Sequence, residues 1–281
     1  MILVTGATGN VGRELVSQLL PTGEVVRALS RDPDRARLPA GVEVRVADLG
    51  KPETIPAVLE GVDRVFLLVH IPGDPVQAAN FIRAATASDV RHVVLLSSLS
   101  VESDAAKDPI AEFHRAAERA VRESGLSWTF LRPGTFMSNT LVWAESIRSE
   151  GAVRNLGGNF AAAPIDELDV AAVARLALTS PGHEGKSYPM TGPERITPAE
   201  QTQVLAEVLG RELRFETLPE DVARAMIIGM IGDEAAATRI LRSLRDPDVP
   251  WAHPRRTVEE LTGTKPRGFR EWAARHVGRF R

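Results

Sequence analysis

Cysteine is missing entirely from this chain of 281 residues, which excludes disulfides, thiolate catalysis and cysteine-ligated metal. Tyrosine is almost missing: Tyr188 stands alone. No stretch approaches the roughly 18 apolar residues that a membrane span requires. Neither sign of charge dominates. Lys and Arg number 34 against 37 Asp and Glu, and a net charge of -3 gives no electrostatic reason to expect a nucleic-acid partner. No paired carboxylates or His/Asp cluster suggest a metal site. No basic or long apolar leader precedes the first apolar run, so a soluble cytoplasmic protein without a membrane partner is the expectation. What remains is ordinary for a globular protein, with 43% hydrophobic and 25% charged residues. The length allows one large domain, or one domain with a smaller appendage.

The first half alternates short apolar runs with longer mixed segments. Strands are predicted at Met1–Thr5, Glu24–Ser30, Val42–Ala47, Asp63–Val69, Arg91–Ser97 and Ser127–Arg132, with helices such as Val11–Leu20, Pro75–Ser88 and Ala111–Ser124 between them. The strands are nearly continuous in Val, Leu and Ile, as strands covered on both faces should be. This rhythm predicts an α/β fold with a doubly wound parallel sheet of Rossmann type. After Pro133 the rhythm changes. Helices are expected at Asp166–Thr179, from the capping box at Thr197 to about Leu209 with Gly210 as its cap, over Asp221–Leu244 with a break near Gly229, Gly232 or Asp233, and at Gly268–Val277. Residues 1–155 are thus expected to form the sheet domain and 156–281 a smaller, mostly helical substrate region, with interleaved elements.

Val4-Thr5-Gly6-Ala7-Thr8-Gly9-Asn10-Val11-Gly12 follows a strand and opens a helix. Gly6 suits the tight turn, Gly9 a close approach of pyrophosphate to bare backbone, and Gly12 close packing of helix on strand. With Thr8, Asn10 and Val11 these residues form a candidate cradle for a dinucleotide, favoured by the N–H groups and dipole of the helix terminus. The end of the second strand bears on which dinucleotide. It reads Ser30-Arg31 where an acid would hold the 2′-hydroxyl of NAD(H), so NADP(H) is expected over NAD(H), with Arg31 on a 2′-phosphate and Arg35 in support. The alternative is that both arginines solvate a loop and pair with Asp32 or Asp34. Asp48 and Leu49 lie where adenine contacts are usual, although Asp48 also suits a helix cap.

These residues, with Leu95-Leu96-Ser97-Ser98, Leu131-Arg132-Pro133-Gly134, Phe136-Met137-Ser138-Asn139, Asp169-Val170-Ala171, Thr191-Gly192-Pro193 and Phe269-Arg270-Glu271-Trp272, resemble the NmrA-like branch of the short-chain dehydrogenase/reductase superfamily. The likeness runs through nearly the whole chain. It implies an NAD(P) site and a variable C-terminal substrate region, in a family that holds reductases of quinones and enones alongside redox-sensing regulators. One departure is plain. Most reductases of the superfamily use a Tyr-x-x-x-Lys pair, and Gly192 stands four residues after the single tyrosine, so that pair cannot exist. On the helix after the fifth strand, His114 takes the lysine position and Ile110 the tyrosine position. His114 is therefore a candidate for holding ribose or donating a proton, against local packing. Ser97 is a candidate for the nicotinamide ribose or, more simply, a strand-end hydrogen bond. Pro133 lies at the carboxyl edge where ligands bind such sheets.

On the substrate side, Phe136, Met137 and Trp143 are expected to wall an apolar pocket, with His70 as a second acid/base candidate. The run Met226-Ile227-Ile228-Gly229-Met230-Ile231 reads either as a lid bringing Met226 and Met230 to the substrate, or as buried core or a homodimer contact. Without a tyrosine acid, a simple ketone is disfavoured and a quinone or enone, whose oxyanion is delocalised, is favoured. The expectation is an NADPH-dependent oxidoreductase reducing such a small, apolar, quinone- or enone-like molecule. The alternatives are an NADP(H)-sensing regulator with little turnover, or a non-redox isomerase or cyclase on the same scaffold.

Overall fold

A computed structural model describes residues 1–69, 76–102, 109–156, 160–243, 246 and 248–281. In chain order its first half runs β1 (Ile2–Val4), α1 (Asn10–Leu19), β2 (Val26–Ser30), β3 (Glu43–Val46), β4 (Arg64–Leu67), α2 (Val76–Thr86), β5 (His92–Leu96), α3 (Pro109–Arg122) and β6 (Ser127–Pro133). The second half runs α4 (Ala144–Glu150), β7 (Ala152–Asn155), α5 (Glu167–Thr179), β8 (Lys186–Met190), α6 (Pro198–Leu209), β9 (Arg214–Thr217), α7 (Glu220–Ile231), α8 (Glu234–Ser243), α9 (Thr257–Thr262) and α10 (Phe269–Arg275). None of the described helices is long and apolar enough to cross a membrane.

Seven strands form one sheet in the order β3-β2-β1-β4-β5-β6-β8. Each pair is parallel, with Leu3 opposite both Arg27 and Val65. The period of two sorts side chains between faces. Ile2, Val4, Phe66, Val94 and Leu131 face one core with α1 and α5, whereas Leu3, Val65, Leu67, Val93 and Phe130 face a second core with α2 and α3. In α1, Val11, Leu15, Val16 and Leu19 supply the buried stripe at helical spacing. The doubly wound parallel sheet is therefore present as expected.

The sequence order and the layers interleave. Beyond residue 155, α5 packs on α1 and β8 extends the main sheet at its edge. Three strands absent from the sequence reading, β7, β8 and β9, are all short. Pro189 lies within β8, a position that an edge strand tolerates because one side of its backbone needs no partner. Strands β7 and β9 pair with each other in parallel, Val153 opposite Phe215. Around them a third core gathers Met137, Trp143, Ile147, Phe269, Trp272 and Phe280. The capping box closes at both ends, Thr197 Oγ1 accepting from Glu200 N and Glu200 accepting from Thr197 N, and Gly210 caps α6 in the left-handed conformation. The expected break in the run from Asp221 falls at Gly232, also left-handed.

Phe66 occupies the centre of the sheet and is fully buried. Phe66→Ala should lower unfolding stability by about 3–5 kcal/mol, read as a fall in urea midpoint at unchanged slope. A loss below about 1 kcal/mol would mean that the sheet centre collapses around the cavity.

Candidate functional site

The order of strands reverses at β1, whose neighbours are β2 and β4, and an open α/β sheet offers its crevice at the carboxyl ends beside such a reversal. Thr5 pins the two strand ends together: its Oγ1 donates to Leu68 O at 3.1 Å and accepts from Leu68 N at 2.7 Å. The chain then turns through Gly6 at φ +61°. Gly9 N donates to Gly6 O at 2.9 Å, and Gly9 precedes the first turn of α1. A side chain on Gly12 would overlap the Gly6 carbonyl, its Cβ lying 2.7 Å from the carbonyl carbon and 2.9 Å from Ala7 Cα. Among the described residues, the backbone N–H groups of Asn10, Val11 and Gly12 have no acceptor, as the first turn of a helix leaves them. Bare backbone, free donors and a helix terminus fit a diphosphate.

A cleft of about 500 Å³ opens over this loop. Thr5, Gly6, Thr8 and Gly9 form one wall, Ser30 and Arg31 the rim beyond β2, and Asp48 and Leu49 the side beyond β3. Leu68 and Gln77, which the sequence reading passed over, complete it. The motif gives no sign of either, because one follows β4 and the other opens α2.

The charged rim is asymmetric. Arg31 is exposed and its guanidinium has no partner among the described residues. Arg35, expected to support it, is instead paired with Asp32: Nε lies 3.4 Å from Oδ2, and Arg35 N donates to Oδ1. The reason is local, since Asp32 caps the short turn Pro33–Arg35 and draws the arginine back onto it. Asp32 is thereby engaged as well. Ser30 Oγ bonds the backbone of Asp32, and Asp48 Oδ1 accepts from Gly50 N at 2.9 Å. Arg13, unmarked in the motif, ties the cradle to the segment after β2 by donating to Thr8 O, Ala36 O and Arg37 O.

At the end of β5, Ser97 Oγ donates to Glu118 Oε1 at 2.7 Å. Arg132 grips the same carboxylate with Nε at 2.9 Å and Nη2 at 2.7 Å, and both Ser97 and Glu118 are buried. His114, one turn before Glu118 on α3, is buried with its ring edge-on to Phe113. No described residue hydrogen-bonds its imidazole. Burial pushes its pKa down to about 4, opposed by the charge of Glu118, so the ring is neutral near pH 7.

Beyond β6, Pro133 is buried and paired with Met190, and Gly134 N donates to Met190 O at 2.8 Å. Thr135 Oγ1 is buried with no partner among the described residues. Trp251 stands against Gly134, where an added Cβ would meet its Cβ at 3.0 Å. The expected apolar wall needs correction. Phe136 is half-buried against the first core, but Met137 and Trp143 are buried in the third core beside Ile147 and Trp272, because the chain after Phe136 turns into that unit. Met226 is 56% exposed, so at this position α7 is not buried core. His70 and the side chain of Met230 lie outside what is described.

Comparison with known proteins agrees with this geometry. The model of a family described as NAD(P)H-binding matches residues 6–181. A (4-alkanoyl-5-oxo-2,5-dihydrofuran-3-yl)methyl phosphate reductase of Streptomyces griseus subsp. griseus is 47% identical over 281 residues, covering 100% of this chain and 99% of the relative. An NAD(P)H azoreductase of Xenophilus azovorans is 38% identical over 285 residues, covering 100% and 99%. Among solved structures, an NADPH-dependent quinone oxidoreductase from Escherichia coli complexed with NADPH superposes with a TM-score of 0.80 at 25% identity, covering 98% of this chain and 99% of that one. The chain belongs to the NAD(P)H-binding family, in the NmrA-like branch of the atypical short-chain dehydrogenase/reductases, and is an NAD(P)H-dependent oxidoreductase.

Proposed function

We propose that this enzyme uses NADPH to reduce a ring carbon–carbon double bond conjugated to two carbonyls, as in a 4-alkanoyl-5-oxo-2,5-dihydrofuran carrying a phosphomethyl group. The observation that carries this reading is 47% identity, end to end, with a reductase named for that compound. The reading keeps the enone of the sequence analysis and departs from its apolar character, since the phosphate adds charge.

The physical argument starts from what the chain withholds. The reduced nicotinamide, when bound, supplies hydride. With no Tyr-x-x-x-Lys pair, the chain offers no phenol acid at the usual place, so the acceptor must itself delocalise the negative charge that hydride brings. In the alkanoyl furanone, hydride joins C3 and the π pair moves to C4, where the ring carbonyl and the alkanoyl carbonyl share it. A proton from water then joins C4, completing addition of two hydrogens. His114 is neutral and without a partner among the described residues, which suits it to hydrogen-bond a sugar hydroxyl, not to supply a proton. Arg31, free on the rim where an acid would select NAD(H), supports preference for NADPH.

NADPH oxidation assayed against a 4-alkanoyl-furanone phosphate, a quinone and a simple ketone should rank them in that order. Turnover of the ketone alone would sink the argument from delocalised charge, and no turnover with any would favour a sensor. Arg31→Ala should raise KM for NADPH about tenfold or more while leaving KM for NADH nearly unchanged, because one charge-assisted contact contributes about 1.5–3 kcal/mol. Equal effects on both dinucleotides would refute the 2′-phosphate role. His114 also imposes a sign on stability. Its pKa is depressed in the folded state, so its contribution is full above about pH 6.5 and lost as pH falls towards 4, by about 3 kcal/mol at most. Urea unfolding between pH 7 and pH 4 should therefore fall more steeply for the native chain than for His114→Gln; matching slopes would show that the imidazole is not desolvated.

A further inference from the structure

The first turn of α5 carries three buried carboxylates, and the C-terminal region reaches all three. Arg275 pairs with Asp166 and Arg267 with Asp169. Glu167 differs. No cation pairs with it among the described residues, and its two donors are neutral: Trp272 Nε1 at 3.1 Å on Oε2, and the backbone N–H of Ser138 at 3.0 Å on Oε1. The helix N-terminus makes a buried carboxylate tolerable there. Its partners, however, join two distant parts of the chain. Ser138 passes the connection on, since its Oγ accepts from Asn10 Nδ2 at 3.0 Å. Asn10 is the first residue of α1 and follows Gly9 of the cradle.

We infer that Trp272, Glu167 and Ser138 are positioning residues that hold Asn10, and with it the phosphate-facing turn of α1, in its binding geometry. The inference rests on the reading that this cradle takes the dinucleotide. In it, α10 completes the cofactor site without touching it. Trp272 fixes the free rotation of the Glu167 carboxylate, the carboxylate fixes the loop after β6 at Ser138, and the hydroxyl fixes the Asn10 amide. A site whose donors are held before the ligand arrives loses less ordering entropy on binding. The Asp166 and Asp169 pairs anchor the same C-terminal region but offer no described hydrogen bond to Ser138, so they serve as internal controls.

Calorimetric titration of NADPH into the full-length protein tests the relay. Ser138→Ala removes only the acceptor for Asn10 and should raise Kd about three- to tenfold, the loss of one hydrogen bond. Trp272→Phe keeps a ring in the core but lacks the N–H; it should raise Kd in the native background and add nothing in the Ser138→Ala background. Arg267→Ala should lower the melting temperature and leave Kd unchanged. Additive effects of Trp272→Phe and Ser138→Ala, or a Kd rise in Arg267→Ala that tracks its loss of stability, would replace the relay with general loosening. Unchanged Kd in Ser138→Ala would overturn the relay alone, whereas failure of the unsubstituted protein to bind NADPH would overturn the cradle and the relay together.

Discussion

The constraint on which the glycine turn depends is the close approach of α1 to the backbone that precedes it. Only the missing Cβ of Gly12 lets the helix sit against the Gly6 carbonyl, and that contact sets the first turn of α1, where Asn10, Val11 and Gly12 carry N–H groups without an acceptor among the described residues, beside the sheet's reversal point. Had the helix stood off by the width of a methyl group, the packing of Val11, Leu15 and Val16 on the sheet and the direction of those donors would change together. One backbone approach thus sets both the first core and the glycine turn at its edge. The Thr5–Leu68 hydrogen bonds hold the other side of the same crevice.

Around that constraint the chain buries several charges with assigned partners. Ser97, Glu118 and Arg132 form a closed group at the end of β5. Both oxygens of Glu118 are engaged, so a group that burial would otherwise penalise becomes a rigid brace between α3 and β6. His114, on the same helix, lacks such partners among the described residues, and burial keeps its ring neutral near pH 7. The two residues show how neighbouring positions on one helix differ in charge and partners by what each can reach.

Much of the fold was legible before any coordinates. The six strands of the first half lie where the apolar runs placed them, and the Thr197 capping box, the Gly210 cap and the break at Gly232 were written in turn chemistry that acts over four residues. The glycines of the cradle were legible for the same reason. Strands β7, β8 and β9 were not, since four or five residues with mixed polarity carry too little periodicity, and Pro189 argues against a strand unless its edge position is known.

The site divides along the same line. By itself the sequence determined the glycine turn ahead of α1, the lack of a Tyr-x-x-x-Lys pair and the guanidinium at position 31, because each depends on residue type at fixed local spacing. Only the tertiary structure decided that Met137 and Trp143 are core, that Trp251 stands over Gly134 and that Trp272 connects through Glu167 to Asn10. Those outcomes join residues more than a hundred positions apart. Such choices follow from which surfaces pack together, and no local pattern records them.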